Sequence, residues 1–130
     1  MRLALLSLLV LAGSPATALA CREPPQDMQF KDADTVLVGW ISSASAPELE
    51  SLSPGSRDTD AFNQSINGRR VFRILVTETR KGQAVTHQTV EVSRCNGANN
   101  DVGFRVIAYH FADGSWRVSQ LPFQDSGSGP

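Results

Sequence analysis

Residues 3–12 form an apolar run in which Ser7 is the only polar member, preceded by Arg2 and broken by Gly13, Ser14 and Pro15. Ala18-Leu19-Ala20 follows, placing small residues at the two positions a signal peptidase reads, immediately before Cys21. A helix that spans a bilayer needs roughly 20 apolar residues to cross about 30 Å of hydrocarbon. This run is half that length, and its small-residue exit marks a segment removed on export. A buried N-terminal helix would instead require polar residues at helical spacing, which the run lacks. Residues 1–20 therefore read as a signal peptide, and residues 21–130 as the folded, secreted or periplasmic protein.

Export decides the chemistry of the two cysteines, Cys21 and Cys95. In an oxidising compartment they are expected to pair. Closing a loop of about 75 residues is worth about 4–5 kcal/mol in the chain-entropy model. A rival reading makes Cys21 the acylated first residue of a bacterial lipoprotein. Two features count against it: Ala18 stands three places before the cysteine where Leu is preferred, and acylation would leave Cys95 an unpaired thiol.

A chain of 110 residues suits one domain. Without Arg2 it carries 11 basic and 13 acidic residues, a formal charge of −2. That balance gives no reason to expect nucleic acid or an anionic membrane surface as partner. Arg69, Arg70, Arg73, Arg80, Lys81 and Arg94 gather in the middle third, where they read as a solvated sheet face.

The local pattern is that of strands. Pro24-Pro25 precedes a short helical turn at 26–33. Residues 35–42 are β-branched and aromatic, too short for a helix and apolar on both faces, so a buried strand is expected, with Gly39 marking a bulge or sharp bend. Residues 43–68 lose the apolar pattern and read as a long, flexible inserted loop. Within it Asn63-Gln64-Ser65 matches a glycosylation sequon, and Ala61, Phe62 and Ile66 are candidates to pack back on the fold. Asn67-Gly68 opens a strand over 69–80, with Phe72, Ile74 and Val76 on one face and Val71, Arg73, Leu75 and Thr77 on the other. Lys81-Gly82 ends it. Residues 89–93 alternate again, Cys95-Asn96-Gly97 turns the chain, and a strand over 104–111 is apolar on both faces. Asp113-Gly114 links this strand to 116–121 as a hairpin. The tail, 122–130, lacks core residues beyond Phe123. Five strands with reversing turns suit a small all-β fold of the oligonucleotide/oligosaccharide-binding barrel type, and the pattern leaves barrel and sandwich both open.

Three pieces in order resemble the bacterial relatives of the netrin-like module, the fold shared with tissue inhibitors of metalloproteinases. They are Cys21; the stretch Phe30-Lys31-Asp32-Ala33-Asp34 running into Thr35-Val36-Leu37-Val38-Gly39; and the run from Val71 through Lys81-Gly82 and Thr89-Val90-Glu91-Val92 to Cys95, Gly97, Gly103-Phe104-Arg105-Val106-Ile107-Ala108-Tyr109 and Asp113-Gly114-Ser115-Trp116. The resemblance implies a five-stranded barrel with the N-terminal cysteine pinned to the loop after the third strand. In the inhibitors, the amino group and carbonyl of the first cysteine hold the protease zinc and the next residue enters the specificity pocket. Cys21 and Arg22 occupy those places here. This chain departs from the pattern in having Arg22-Glu23 where many relatives continue to a second cysteine, and Arg22 would bring a cation to a pocket that is usually apolar.

No catalytic or metal-binding constellation stands out. His87 and His110 have no His or Cys at ligand spacing. No Gly-x-Ser-x-Gly is present, and an oxidised Cys95 is no nucleophile. Asp32 and Asp34 precede a strand as cap and turn residues. Gly97 and Gly103 do not form a phosphate loop. Trp40, Tyr109 and Trp116 read as core or barrel-end packing rather than a base-stacking platform. The expectation is a monomeric, non-catalytic binding module for an unknown protein or envelope component, without cofactor or transmembrane segment. The alternative is a metalloprotease inhibitor acting through Cys21, and a second alternative is a lipoprotein anchored there.

Overall fold

The computed structural model describes residues 21–122, apart from positions 54, 56, 58, 61, 62 and 64–67. The expected signal peptide, the tail beyond 122, Gln64 and Ser65 of the sequon, and Ala61, Phe62 and Ile66 lie outside the described residues.

Pro25 caps a helix it cannot sit within, and α1 follows over Gln26–Asp32, with Asp27 in its first turn and Lys31 in its last, both suited to the helix dipole. The chain then enters β1 (Thr35–Ser45), turns through the short α2 (Pro47–Glu50), and returns as β2 (Arg70–Lys81) and β3 (His87–Val92). A 3₁₀ turn over Arg94–Asn96 leads to β4 (Arg105–His110) and β5 (Trp116–Gln120). Apart from the short helices the described residues are all-β, with five strands in one antiparallel sheet of order β3-β2-β1-β4-β5. β1 runs three residues further than expected, so the inserted segment begins later than position 43.

Strand order explains the sequence pattern. β1 lies at the centre with β4 beside it, and these are the two strands that read as apolar on both faces. Their inner face joins Leu37, Ile41, Val106 and Ala108 to Phe72, Ile74, Val90, Val92 and Val118 in the main core. Their outer face holds a second cluster of Ala33, Val36, Val38, Ile107 and Tyr109. α1 closes over that end, burying Gln29 and Ala33. Lys81 at the end of β2 secures the helix by donating to the carbonyls of Phe30 at 3.0 Å and Lys31 at 3.2 Å, two of its unpaired C-terminal acceptors.

The sheet bends at bulges between β1 and β2. The register slips after Val36, Val38 and Ile41, leaving Arg80, Thr77 and Ser42 without a partner opposite. Two of these residues bond across the gap: Thr77 Oγ1 donates to the Val38 carbonyl at 3.2 Å, and Ser42 Oγ to the Arg73 carbonyl at 3.1 Å. Bulges raise local twist and curl a sheet, bringing the two edge strands near each other. Val90 and Val92 of β3 and Val118 of β5 share the inner core. No hydrogen-bonded ladder joins β3 to β5, so the sheet stays open where a closed barrel was one expectation.

Among the described residues, no helix is long and apolar enough to cross a membrane.

Candidate functional site

The two cysteines are joined: Cys21 and Cys95 form a disulfide with Cα atoms 5.0 Å apart and a sequence separation of 74. The bond ties the segment before α1 to the 3₁₀ turn that follows β3. Around it the chain folds a surface cleft of about 720 Å³. Cys21 and Glu23 form one wall, Arg70 at the start of β2 another, and the loop from Arg94 to Asp101 a third, with Arg117 to Gln120 of β5 completing it.

The loop is fixed to β5 by close backbone contact. Gly97 adopts a left-handed φ of 109°, and a β-carbon there would meet the Val118 carbonyl oxygen at 2.0 Å. Asn100, almost fully buried, donates from Nδ2 to the carbonyls of Gly97 at 2.8 Å and Val118 at 3.1 Å. An acceptor on an edge strand is thereby satisfied by a side chain in place of a neighbouring strand. Arg117 reaches back to Asn96 Oδ1 at 3.4 Å and lies over the Phe111 ring, 5.7 Å from its centroid.

Charge in the cleft is uneven. Its carboxylates are engaged: Glu23 accepts from the Ser119 hydroxyl, and Asp101 accepts from the Val102 amide at 2.7 Å. Glu23 also acts on Tyr109, whose phenol is held above its ordinary pKa first by burial and then by that negative charge. The three arginines, Arg70, Arg94 and Arg117, form no salt bridge among the described residues. Arg70 Nε is shielded from solvent and has no hydrogen-bond partner.

Sequence reading paired Cys21 with Cys95 and grouped Arg70 and Arg94 with a solvated sheet face. Arg73 and Arg80 do lie exposed on β2, but Arg70 is half-buried in the cleft and Arg94 stands on the 3₁₀ turn. Their neighbours carried a usable signal: Arg94 abuts the disulfide, and Asn96, Asn99 and Asn100 mark a polar, turn-rich loop. Arg22 is exposed and is not part of the cleft wall.

The histidines separate. His87 opens β3 and is exposed. His110 ends β4, donating from Nδ1 to Asp34 Oδ1 at 2.7 Å, with its ring 4.6 Å from that of Trp116. The hydrogen bond from His110 is the main cause holding the Asp34 carboxyl below its ordinary pKa. The nearby Ser115 hydroxyl donates to Asp113 at 2.6 Å, so it is committed elsewhere than to a histidine base. Asp32 is the last residue of α1. Among the described residues no three His, Cys, Asp or Glu side chains gather as metal ligands. Tyr109 is buried and Trp116 packs on the inner core, whereas Trp40 remains 36% exposed beside Leu75 at 43%.

No protein-family model, curated protein or solved structure matches this chain.

Proposed function

We propose that this chain is an exported, non-catalytic binding module whose contact surface is the cleft at the disulfide end. The observation that carries the reading is the cleft itself, which at about 720 Å³ falls within the roughly 300–1,000 Å³ range of ligand sites. Its wall is built for recognition: backbone groups of a fixed loop, three arginines, amide side chains of Asn96, Asn99 and Gln120, and the apolar edge of Phe104. The disulfide holds two parts of that wall together, and it supports an oxidising, extracytoplasmic location. In the wall the Ser119 hydroxyl donates to the Glu23 carboxylate, and no histidine lines the cleft beside that pair.

The test is an amide-resolved NMR titration of residues 21–130 with fractions of soluble envelope components from its own host. Saturable shifts confined to 94–101 and 117–120 support the reading. Saturable shifts confined to the outer face near Trp40 reject the cleft as the surface, and chemical turnover of a bound component rejects the non-catalytic assignment.

A second reading, inhibition of a zinc protease through the Cys21 amino group, is favoured by one observation: Cys21 and Arg22 are both exposed, with Cys21 pinned in place by its disulfide. Acetylating that amino group is expected to abolish inhibition. Absence of inhibition by the unmodified protein at micromolar concentration discards this reading.

A further inference from the structure

We infer that the cleft takes a ligand bearing an oxyanion group (phosphate, sulfate or carboxylate), held by Arg70, Arg94 and Arg117. The inference rests on the cleft being the contact surface and adds the chemistry of what enters it.

Three arginines from three separate elements line one concavity: Arg70 from β2, Arg94 from the 3₁₀ turn and Arg117 from β5. The folded segment carries a net negative formal charge, with 11 basic and 13 acidic residues. The cleft wall reverses that balance, setting three arginines against Glu23 and Asp101. Both carboxylates already accept hydrogen bonds, from Ser119 and from the Val102 amide. Elsewhere on the surface arginines do find acids. Arg69 pairs with Glu48 at 3.1 Å and Glu91 at 2.9 Å, and Arg80 with Glu78 at 3.2 Å. Arg70, Arg94 and Arg117 have no such partner among the described residues, a state they share with Arg22 and Arg73 on the open surface; what sets them apart is that they line one cleft.

Arg70 supplies an independent sign. It lines the cleft, yet its Nε is withdrawn from solvent and unpaired. A shielded, unsatisfied donor on a cation costs free energy in the empty protein. Such a group gains more from an incoming oxyanion than a fully hydrated arginine does, because part of its water is already gone. Guanidinium is also the side chain whose fork of donors matches a planar carboxylate or a phosphate edge. Arg117 is partly pre-positioned by Asn96 and the Phe111 ring, which lowers the entropy lost when it engages a ligand. The amides of Asn96, Asn99 and Gln120 around the arginines suit a ligand that carries further polar groups beside its charge.

The test titrates the disulfide-bonded protein, residues 21–130, with sodium sulfate, sodium phosphate and sodium citrate, each against sodium chloride at matched ionic strength, following backbone amides by NMR. At least one oxyanion is expected to give saturable shifts at 94–101 and 117–120 that chloride does not give. Citrate acting alone identifies a carboxylate ligand, and phosphate or sulfate acting alone identifies a tetrahedral one. Arg94→Gln and Arg70→Gln are each expected to weaken the fit by about tenfold, the scale of one charged hydrogen bond. Arg73→Gln, which removes the same charge from the exposed face of β2, should leave it unchanged. The dispersion of each spectrum verifies that the variant is folded.

Shifts identical in chloride and in every oxyanion overturn the proposal. So does saturable binding that Arg94→Gln and Arg73→Gln weaken equally, since that is only the general field of the protein. If a neutral envelope fraction moves the cleft amides while no oxyanion does, the oxyanion chemistry fails and the binding-module reading stands.

Discussion

Gly39 in β1 lies against the backbone of Leu75 in β2 so closely that a β-carbon at position 39 would sit 2.1 Å from the Leu75 carbonyl oxygen and 2.9 Å from Ile74 Cγ2. The contact falls where the β1–β2 register slips, just after Val38. A methyl group there must displace the backbone of the neighbouring strand. Gly39→Ala is expected to lower stability by about 3 kcal/mol, the upper range for overpacking a core. A urea midpoint equal to wild type would falsify the close approach.

The disulfide closes a long loop that holds β1, β2 and β3, from the segment before α1 to the turn after β3. Replacing both cysteines with serine is expected to lower unfolding free energy by about 4 kcal/mol in the chain-entropy model. Both cysteines are exposed, so thiols should reach the bond in the folded state. The rate of reduction, followed by alkylation and intact mass, is expected to be the same with and without sub-denaturing urea. A steep rise with urea would mean that the bond opens only through unfolding.

Asn100 stands in for a sixth strand at one point on the edge of β5. Asn100→Ala removes the donor to the Val118 carbonyl and is expected to cost about 2 kcal/mol, the price of an unsatisfied buried acceptor. Asn100→Asp should be worse at neutral pH, because a carboxylate placed beside two carbonyls accepts and cannot donate. Thermal or urea unfolding of the two variants gives the order, and an Asp variant more stable than the Ala variant would contradict it.

Asp34 and His110 are linked twice, by their side chains and by the Asp34 amide donating to the His110 carbonyl at 2.9 Å. Because folding lowers the Asp34 pKa below its ordinary 3.8, the unfolded chain takes up the proton first as pH falls. The stabilisation is therefore full above the ordinary carboxylate range and is lost as pH drops through the lower, folded value. Asp34→Asn is expected to be less stable than wild type at about pH 6, with the gap shrinking in the acid range below about pH 4. A gap that stays constant down to pH 2 would show that the carboxylate charge contributes nothing. Asp113, lowered chiefly by the hydrogen bond from Ser115, acts with the same sign, and Ser115→Ala is expected to remove its share.

Much of the framework is written locally. The double-sided apolar pattern of β1 and β4 places them at the centre of the sheet, since only a strand covered on both faces needs both faces apolar. Pro24-Pro25 announces α1, and Gly39 announces the bulge. The left-handed turn at Gly97 and the β4–β5 hairpin at Asp113-Gly114 follow from turn chemistry. Cysteine number and the leader-like N-terminal run were enough to expect the bond between Cys21 and Cys95.

Other features depend on contacts that no local pattern encodes. Trp40 was expected in core or barrel-end packing and stands 36% exposed, because α1 is only seven residues, about 10 Å long, and covers the outer face near Val36 and Val38. The neighbours of Arg94 mark a polar loop beside the disulfide, but nothing local joins that loop to Arg70 on β2. Their meeting depends on the fold bringing the start of β2, the turn after β3 and the edge of β5 to one end of the sheet. Three slips of register curl the sheet so that its edges approach, and the sheet stays open where the loop meets β5 through Gly97 and Asn100 in place of a paired strand. By itself the amino-acid order determined which segments become strands, where they turn and which cysteines pair, because dihedral preference and apolar periodicity act over a few residues. Which charged side chains share a cavity and which edge stays unpaired was decided only when distant segments packed, since those energies exist between groups the chain separates by tens of residues.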